Sequence, residues 1–559
     1  MSRILVIGGY GGFGSRLCAR LAGAGHTVIV AGRSEAKAAA CAASLPGAAP
    51  AVLDRTGDVA AALARHRPDL VIDAAGPFQA SGMRVPEACI VAGIPYLDLA
   101  DARDFVTGIG ALVHAARTRG VAVVAGASTA PALTSAVCAE LAKGLERVET
   151  IDIALSAGNR AEGGDSVVAA VLSWVGRPLA LWRGGGWGRA WSGQEMRRED
   201  FVLAGGTALR GRLVSLADLP DCEILPALLP GRPSVAFRAG TELGFQMIAL
   251  WLMSWLVRWG WVRSLAGAAR WLRPLGRLTA RIGGLRSAMS VTLAGRRGAE
   301  RVERRWTVIA EGGEGLHIPT LAAALLAEDA LAGRLRPGAY TAAGLLDFAR
   351  FEPAFAGLAV RQEFTERILP PPAYARVLGP VFDTLPAAVR ALHDIGRYAA
   401  AEGEGTVTRG RGPLARLVAA AMRLPPTGHY PLRVDFAERS GTERWTRHFG
   451  SHRFASTLSA AKPGQAAERF GPLRFVFDLP AGPHGLSMHL VRWTVLGLPL
   501  PLTLAPRIHA REWQDEAGRF RFEVAVALPV AGDVIHYTGW LVPARESAPA
   551  VPIARARAA

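Results

Sequence analysis

Residues 4–33 read ILVIGGYGGFGSRLCARLAGAGHTVIVAGR. Ile4 to Ile7 is a short apolar run, and Ser15 to Ala24 has helical spacing. Gly9-x-Gly11-x-x-Gly14 lies between them, so strand, glycine turn and helix come in the order a phosphate-cradling loop requires. Gly9 is read as allowing the tight turn. Gly11 lets backbone approach a pyrophosphate, and Gly14 lets the helix pack closely on the strand. The first helical turn then offers N–H groups and a positive dipole end to the phosphates.

A second strand, Thr27 to Ala31, ends in Gly32-Arg33-Ser34, with Lys37 close behind. A fold that holds a non-phosphorylated dinucleotide usually carries an acid here for the ribose 2′-hydroxyl. A small residue followed by a guanidinium suits a 2′-phosphate instead, because the planar fork of donors matches phosphate oxygens.

The alternation continues through strands at Pro50 to Leu53, Leu70 to Ala74, Tyr96 to Leu99 and Val121 to Ala125. Helices are expected at Asp58 to His66, Arg84 to Ala92 and Asp101 to Arg117. Six strands separated by helices predict an α/β fold, a Rossmann-type doubly wound parallel sheet with ligands at the strand C-terminal ends. Those ends carry Gly9, Arg33, Asp54, Gly76, Asp98 and Gly126 to Ser128, and the line they trace is the expected groove.

At 559 residues the chain is too long for one core. The formal charge is +17, nearly all of it from arginine, since lysine stands only at Lys37, Lys143 and Lys462. That balance favours anionic partners such as phosphorylated cofactors or acidic lipids. Nucleic acid is not expected: the arginines are spread along the whole chain and no zinc-finger or RNA-binding signature appears. Cys18, Cys41, Cys89, Cys138 and Cys222 are odd in number and form no C-x-x-C, which argues against a disulfide framework and for a reducing cytoplasm. The immediate first strand reads as no secretory leader.

GGYGGFG, AGR, DAAGPF, YLDLAD and GASTAPAL together resemble the saccharopine dehydrogenase-like oxidoreductases, and the likeness runs from Met1 to about Phe364. The resemblance implies NADP as cofactor, and the arginine and missing acid after the second strand favour NADPH over NADH. It places Gly9, Gly11 and Gly14 at the pyrophosphate, Arg33 at the 2′-phosphate, Asp54 on the adenine side and Gly76 and Pro77 against the nicotinamide half. Gly12, Phe13, Ser34, Lys37, Ala75 and Gly126 are further candidates for holding the cofactor. The resemblance also implies an α+β substrate domain at 148–316 after the Rossmann domain at 1–147, and a helical return at 317–365. No set of groups suited to a dicarboxylic amino acid is identifiable in that region, which is rich in Trp and Leu. An apolar or lipid-like substrate is therefore expected, as lipid-directed enoyl reductases of the superfamily take. The alternative is a non-catalytic NADP-binding sensor or assembly protein.

No tyrosine is followed four positions later by lysine, which excludes the acid pair of short-chain dehydrogenases. Tyr96, Asp98 and His317 remain as candidate catalytic acids, each also readable as core, helix cap or loop residue. No metal site is expected. His448, His452, His484, His489, His509 and His536 fit no ligand spacing.

Residues 242–284 combine a fifteen-residue apolar run, Leu243 to Val257, with Arg263, Arg270 and Arg277 at intervals of seven. The run is shorter than the roughly 20 residues a spanning helix needs. Three roles fit it: peripheral membrane contact, a lid over an apolar substrate, or a homodimer interface. Three prolines in the linker 366–375 then lead to a domain at 376–545, helical at Val377 to Tyr398 and Pro413 to Met422. From Leu432 the hydrophobic period falls to two, predicting antiparallel β structure with hairpin turns at Ser440-Gly441 and near Ala517-Gly518, forming a curved sheet or half-barrel. This part resembles a domain family of unknown function. The tail 546–559 is expected to be loose.

Overall fold

The computed structural model describes residues 1–161, 165–268, 279, 281–439 and 441–544. The Arg270 and Arg277 positions, Ser440 and the tail 546–559 lie outside the described residues. Two compact units emerge. The first comprises 1–181, 188–297 and 302–367, and the second comprises 182–187, 298–301 and 368–559.

In the first unit, β1 (Arg3–Ile7), β2 (Thr27–Gly32), β3 (Ala49–Val52), β4 (Leu70–Asp73), β5 (Tyr96–Asp98) and β6 (Ala122–Ala125) lie in the spatial order β6-β5-β4-β1-β2-β3. Every pairing is parallel. A seventh parallel strand, Gly338–Thr341, joins beside β6. The sequence reading had only a helical return in that region, because four residues after Pro337 carry too little alternation to announce a strand. Successive strand residues point to opposite faces: Ile4, Val6, Val28 and Val30 pack on one side, Leu5, Ile7, Ile29 and Ala31 on the other. Strands buried on both faces read as continuous apolar runs, which is why β1, β2 and β4 were visible in sequence.

The first of those two cores runs on into a second sheet through Ile151, Ile153, Phe237, Val291 and Trp306. That sheet has seven strands in the order Arg197–Val202, Ala208–Leu216, Ser234–Thr241, Arg147–Ala157, Ser287–Arg297, Glu300–Ala310 and Val360–Ile368. The strand at Val360–Ile368 and the helix Ala373–Leu378 both run into the expected linker 366–375, leaving only 369–372 between them.

The second unit is a closed barrel. Ten strands form the ring, with Tyr398–Arg409 paired to Gly532–Pro543, and Leu473–Asp478 closes it against Gly485–Val495. The hairpins expected at Ser440-Gly441 and Ala517-Gly518 are flanked by paired strands, with Arg439 opposite Thr442 and Gln514 opposite Phe520. Closure replaces the expected half-barrel and removes exposed strand edges. The helix expected at Val377 to Tyr398 is broken into Ala373–Leu378, a 3-10 stretch at Gly379–Thr384 and Ala387–His393, and Tyr398–Arg409 is a strand. Pro380 and Pro386 interrupt the helix, and the Ala- and Gly-rich YAAAEGEG gives no hydrophobic alternation to mark the strand. His393 is wholly buried among the barrel's aromatic residues, its ring 3.7 Å from that of Tyr374 and its Nε2 2.6 Å from Glu512.

Asp98 shows how the first sheet is tied at its C-terminal edge. It is fully buried, and one carboxylate oxygen accepts the N–H groups of Ala100 (2.9 Å) and Gly126 (2.7 Å). Gly126 has φ +80°, and a Cβ there would lie 2.6 Å from the Pro131 ring. Burial raises the Asp98 carboxyl to about 7 against the pull of those two donors. A carboxyl raised above its unfolded value weakens the fold as it ionises, so its stabilising contribution is lost as pH rises from about 4 to about 7 and is flat above. Asp98→Asn keeps the accepting oxygen and has no charge to bury. Denaturant titrations at rising pH should therefore show a gain over wild type that grows up to about pH 7. Asp98→Ala should instead lose about 1–3 kcal/mol for each orphaned N–H.

Candidate functional site

The order of strands reverses between β1 and β4, and a doubly wound sheet opens its binding crevice at that point. The loops leaving the two strands touch there: a Cβ on Gly8 would lie 2.9 Å from the Ala75 backbone. Gly8 carries the left-handed backbone, with φ +74°. The tight turn assigned to Gly9 thus belongs to Gly8, and Gly9 is required for space. A Cβ on it would stand 3.0 Å from Val6 O and Val30 Cγ1 and 3.1 Å from Cys18 Sγ.

Helix α1 (Gly12–Gly23) starts directly from this turn with Gly11 as its N-cap and no side-chain cap. The first intrahelical bond runs from Ser15 N–H to Gly11 O at 2.9 Å. The N–H groups of Gly12, Phe13 and Gly14 therefore have no intrahelical acceptor. No acidic residue occupies the first turn. Gly12 is exposed, and a Cβ on Gly11 would meet only Gly8 O, at 3.1 Å. Gly14 is the tightest point: its Cβ would stand 2.1 Å from Gly8 O. An anion can thus approach the uncapped turn over Gly11 and Gly12, while Gly14 seats the helix.

At the end of β2 the geometry adds a residue that the sequence reading missed. Tyr10 lies across Gly32, where a Cβ would come within 2.3 Å of the ring, and its hydroxyl accepts the Ser34 N–H at 3.0 Å. Gly32 is therefore small to admit the Tyr10 ring. Arg33 is exposed beside this contact, and Ser34 caps helix Glu35–Ala43 by accepting the Lys37 N–H at 3.4 Å. The Lys37 side chain is exposed. Asp54 accepts the Thr56 N–H and hydroxyl, and these bonds, with Arg33 nearby, hold its carboxyl below its ordinary value.

The Ala75-Gly76-Pro77 rim is half-buried to exposed, and another missed pair holds it from beneath. Asp73, fully buried at the end of β4, accepts the Ala75 N–H at 2.9 Å and lies 3.0 Å from the Arg55 guanidinium. Arg55 donates to Ala75 O at 2.6 Å and lies 4.8 Å over the Phe78 ring. Burial raises the Asp73 carboxyl to about 6 despite Arg55. The signal was present: an aspartate ending an otherwise apolar buried strand demands a cation or donors nearby.

The three candidate acids separate. Tyr96 and Asp98 are wholly buried, and Asp98 is engaged by the Ala100 and Gly126 N–H groups, which places both in the core beneath the strand ends. Gly126 is likewise buried and bound to Asp98, which removes it from the groove surface. His317 is half-buried at the start of helix Ile318–Leu331. Arg16 and Arg20 of α1 are close enough to act on its charge, and its Nε2 is 4.0 Å from Glu314. Burial lowers its pKa, Glu314 opposes that, and the two arginines lower it further. Within the barrel unit there is a separate open cavity of about 1170 Å³, lined in part by Leu490, Ile508, Ile535, Arg409, Arg411 and Arg507.

Two substitutions distinguish seating from binding. Gly14→Ala should cost about 1–3 kcal/mol in urea denaturation, because the new methyl must displace the Gly8 carbonyl. Gly11→Ala should cost less than Gly14→Ala, since its methyl would stand 3.1 Å rather than 2.1 Å from Gly8 O, yet weaken dinucleotide binding in a fluorescence titration by adding a side chain at the uncapped turn.

Residues 4–143 match the family model of the saccharopine dehydrogenase NADP binding domain, and residues 385–541 match the domain of unknown function DUF4166. No curated protein matches the sequence. Among solved structures, the chain is similar to apo saccharopine dehydrogenase (L-Glu forming) from Saccharomyces cerevisiae. That likeness covers 65% of this chain and 100% of that one at 11% identity, with a TM-score of 0.46. UDP-glucose-4-epimerase from Stenotrophomonas maltophila is similar at 22% identity over 18% of this chain and 36% of its own, with a TM-score of 0.16. The chain thus carries a saccharopine dehydrogenase-type NADP-binding domain at its N-terminus and a DUF4166 domain towards its C-terminus.

Proposed function

We propose that the chain is an NADP(H)-dependent oxidoreductase acting on an apolar or lipid-like substrate rather than on saccharopine, with NADPH preferred over NADH. The observation that carries the cofactor preference is the end of β2, where Arg33 is exposed and no acid stands to hold an unphosphorylated ribose. The residues present suit such a cofactor: an uncapped helix N-terminus, a glycine without a side chain at its N-cap and a guanidinium at the strand end. Bound, the nicotinamide supplies or accepts hydride. The N–H groups of Gly12, Phe13 and Gly14 take the pyrophosphate. Arg33, with Lys37 a short way along the chain, takes the 2′-phosphate through charge-assisted bonds. Arg55 and Asp73 hold the Ala75-Pro77 rim in place for the nicotinamide half. The substrate class is supported by the apolar character of residues 242–284 and by the lack of an evident site for a dicarboxylic amino acid.

Titrating the purified protein with NADPH and NADH, for wild type and Arg33→Ala in parallel, tests the reading. NADPH should bind more tightly to wild type. The variant should lose about 1.5–3 kcal/mol of that affinity, tenfold or more, with NADH affinity little changed. Equal affinity for both nucleotides in wild type would overturn the preference, and binding of neither would overturn the redox reading.

A further inference from the structure

Helix Gly244–Arg258 and the residues after it present a run of exposed large apolar side chains. Phe245, Ile248, Leu252, Trp259 and Trp261 are between 45% and 72% exposed, and Ile282 and Leu285 are exposed nearby. At about 100° per residue, Phe245, Ile248, Leu252 and Trp259 fall within about 60° of one another, a single stripe. Met247 and Ser254, the helix's two buried residues, project to the opposite side. That side is fixed to its own domain. A Cβ on Gly176 would stand 2.6 Å from Ser254 O, and the Ser254 hydroxyl takes a hydrogen bond from Gln194. The apolar stripe is thus the outward face of a firmly seated helix.

In sequence, Leu243 to Arg286 holds seven arginines and no aspartate, glutamate or lysine; of the described ones Arg263 and Arg281 are exposed, while the adjoining Glu242 is engaged by Arg212 and Glu311 by Arg286. Among the described residues, no carboxylate pairs with Arg258, Arg263 or Arg281. Arg258 instead stacks on Trp255 at 4.6 Å and on Trp191 at 5.2 Å. Trp251, Trp255, Trp259 and Trp261 form a chain of ring contacts, 5.9, 5.2 and 5.5 Å between successive centroids, that ends at the exposed Trp259 and Trp261. Tryptophan and arginine side by side suit the boundary between acyl chains and headgroups. The helix has fifteen residues, about 22 Å, against about 30 Å of bilayer hydrocarbon, and no described helix is long and apolar enough to cross a membrane.

We infer that this face docks on an anionic lipid bilayer, lying in the interfacial plane with its apolar stripe among the acyl chains and its arginines at the lipid phosphates. A second copy of this chain is the less suitable occupant, since a two-fold contact would bring the same arginines against each other without a carboxylate between them. The docking stands independently of the redox reading.

Co-sedimentation of the full chain with large vesicles decides it, using phosphatidylcholine alone and phosphatidylcholine mixed with phosphatidylglycerol. Wild type should partition onto the mixed vesicles at least tenfold more strongly, and salt should weaken the binding. The paired variants Leu252→Gln/Trp259→Gln and Arg263→Gln/Arg281→Gln, the latter at exposed arginines, should each lose about tenfold or more of it, with melting temperatures showing that they remain folded. Should the apolar pair unfold the chain, the arginine pair alone decides. Equal partition to both vesicles, no partition, or undiminished binding by the folded variants would overturn the inference. So would a concentration-dependent dimer in light scattering that Leu252→Gln abolishes, which would assign the stripe to a second copy.

Discussion

The N-terminal domain depends on one close approach. Helix α1 begins so near the end of β1 that any side chain at Gly14 would collide with the Gly8 carbonyl at 2.1 Å. That seating points the helix's unpaired N–H groups and positive dipole end over the strand ends. It also brings the β1 and β4 loops together, with Gly8 against Ala75. The two halves of the groove are consequently positioned by the same turn. Arg55 and Asp73 brace it from the β4 side, and Tyr10 braces it from the β2 side by filling the space that Gly32 leaves.

Much of this was legible in the residues. Parallel strands buried on both faces read as apolar runs, and glycine spacing identified the turn and the helix that follows it. Less legible was which glycine performs which task, because φ is not written in a spacing: Gly8 takes the left-handed conformation, and Gly9 only avoids Val6, Val30 and Cys18. Tyr10 and Arg55 were missed because each acts on a residue distant in sequence, and one chain read alone gives no pairings, whereas Asp73 was readable as a strand-end aspartate that needs donors or a cation nearby. Asp98 and Tyr96 show the converse. A polar residue at a strand end reads as a groove residue, but here the strand end is covered and the carboxylate staples Gly126 to Ala100.

The barrel unit illustrates a different limit. Period-two alternation predicted its later strands and their hairpins well, since each has one face inside and one outside. Closure could not be read, because it depends on Leu473–Asp478 meeting Gly485–Val495 rather than on either strand's own pattern. The Ala- and Gly-rich strand Tyr398–Arg409 escaped because its small residues serve close packing: a Cβ on Gly403 would lie 2.0 Å from the Trp540 carbonyl. The apolar stretch at 242–284 was evident in composition, but whether its apolar face turned inward or outward was decided only by Ser254 sitting on Gly176.

A crystal structure of the full chain grown with NADPH tests the central claim most directly. The account predicts pyrophosphate oxygens on the N–H groups at the start of α1, the 2′-phosphate on Arg33 and the nicotinamide half along Ala75-Gly76-Pro77. Nucleotide bound only in the barrel cavity, or seated on the first unit with its 2′-phosphate turned away from Arg33, would contradict it.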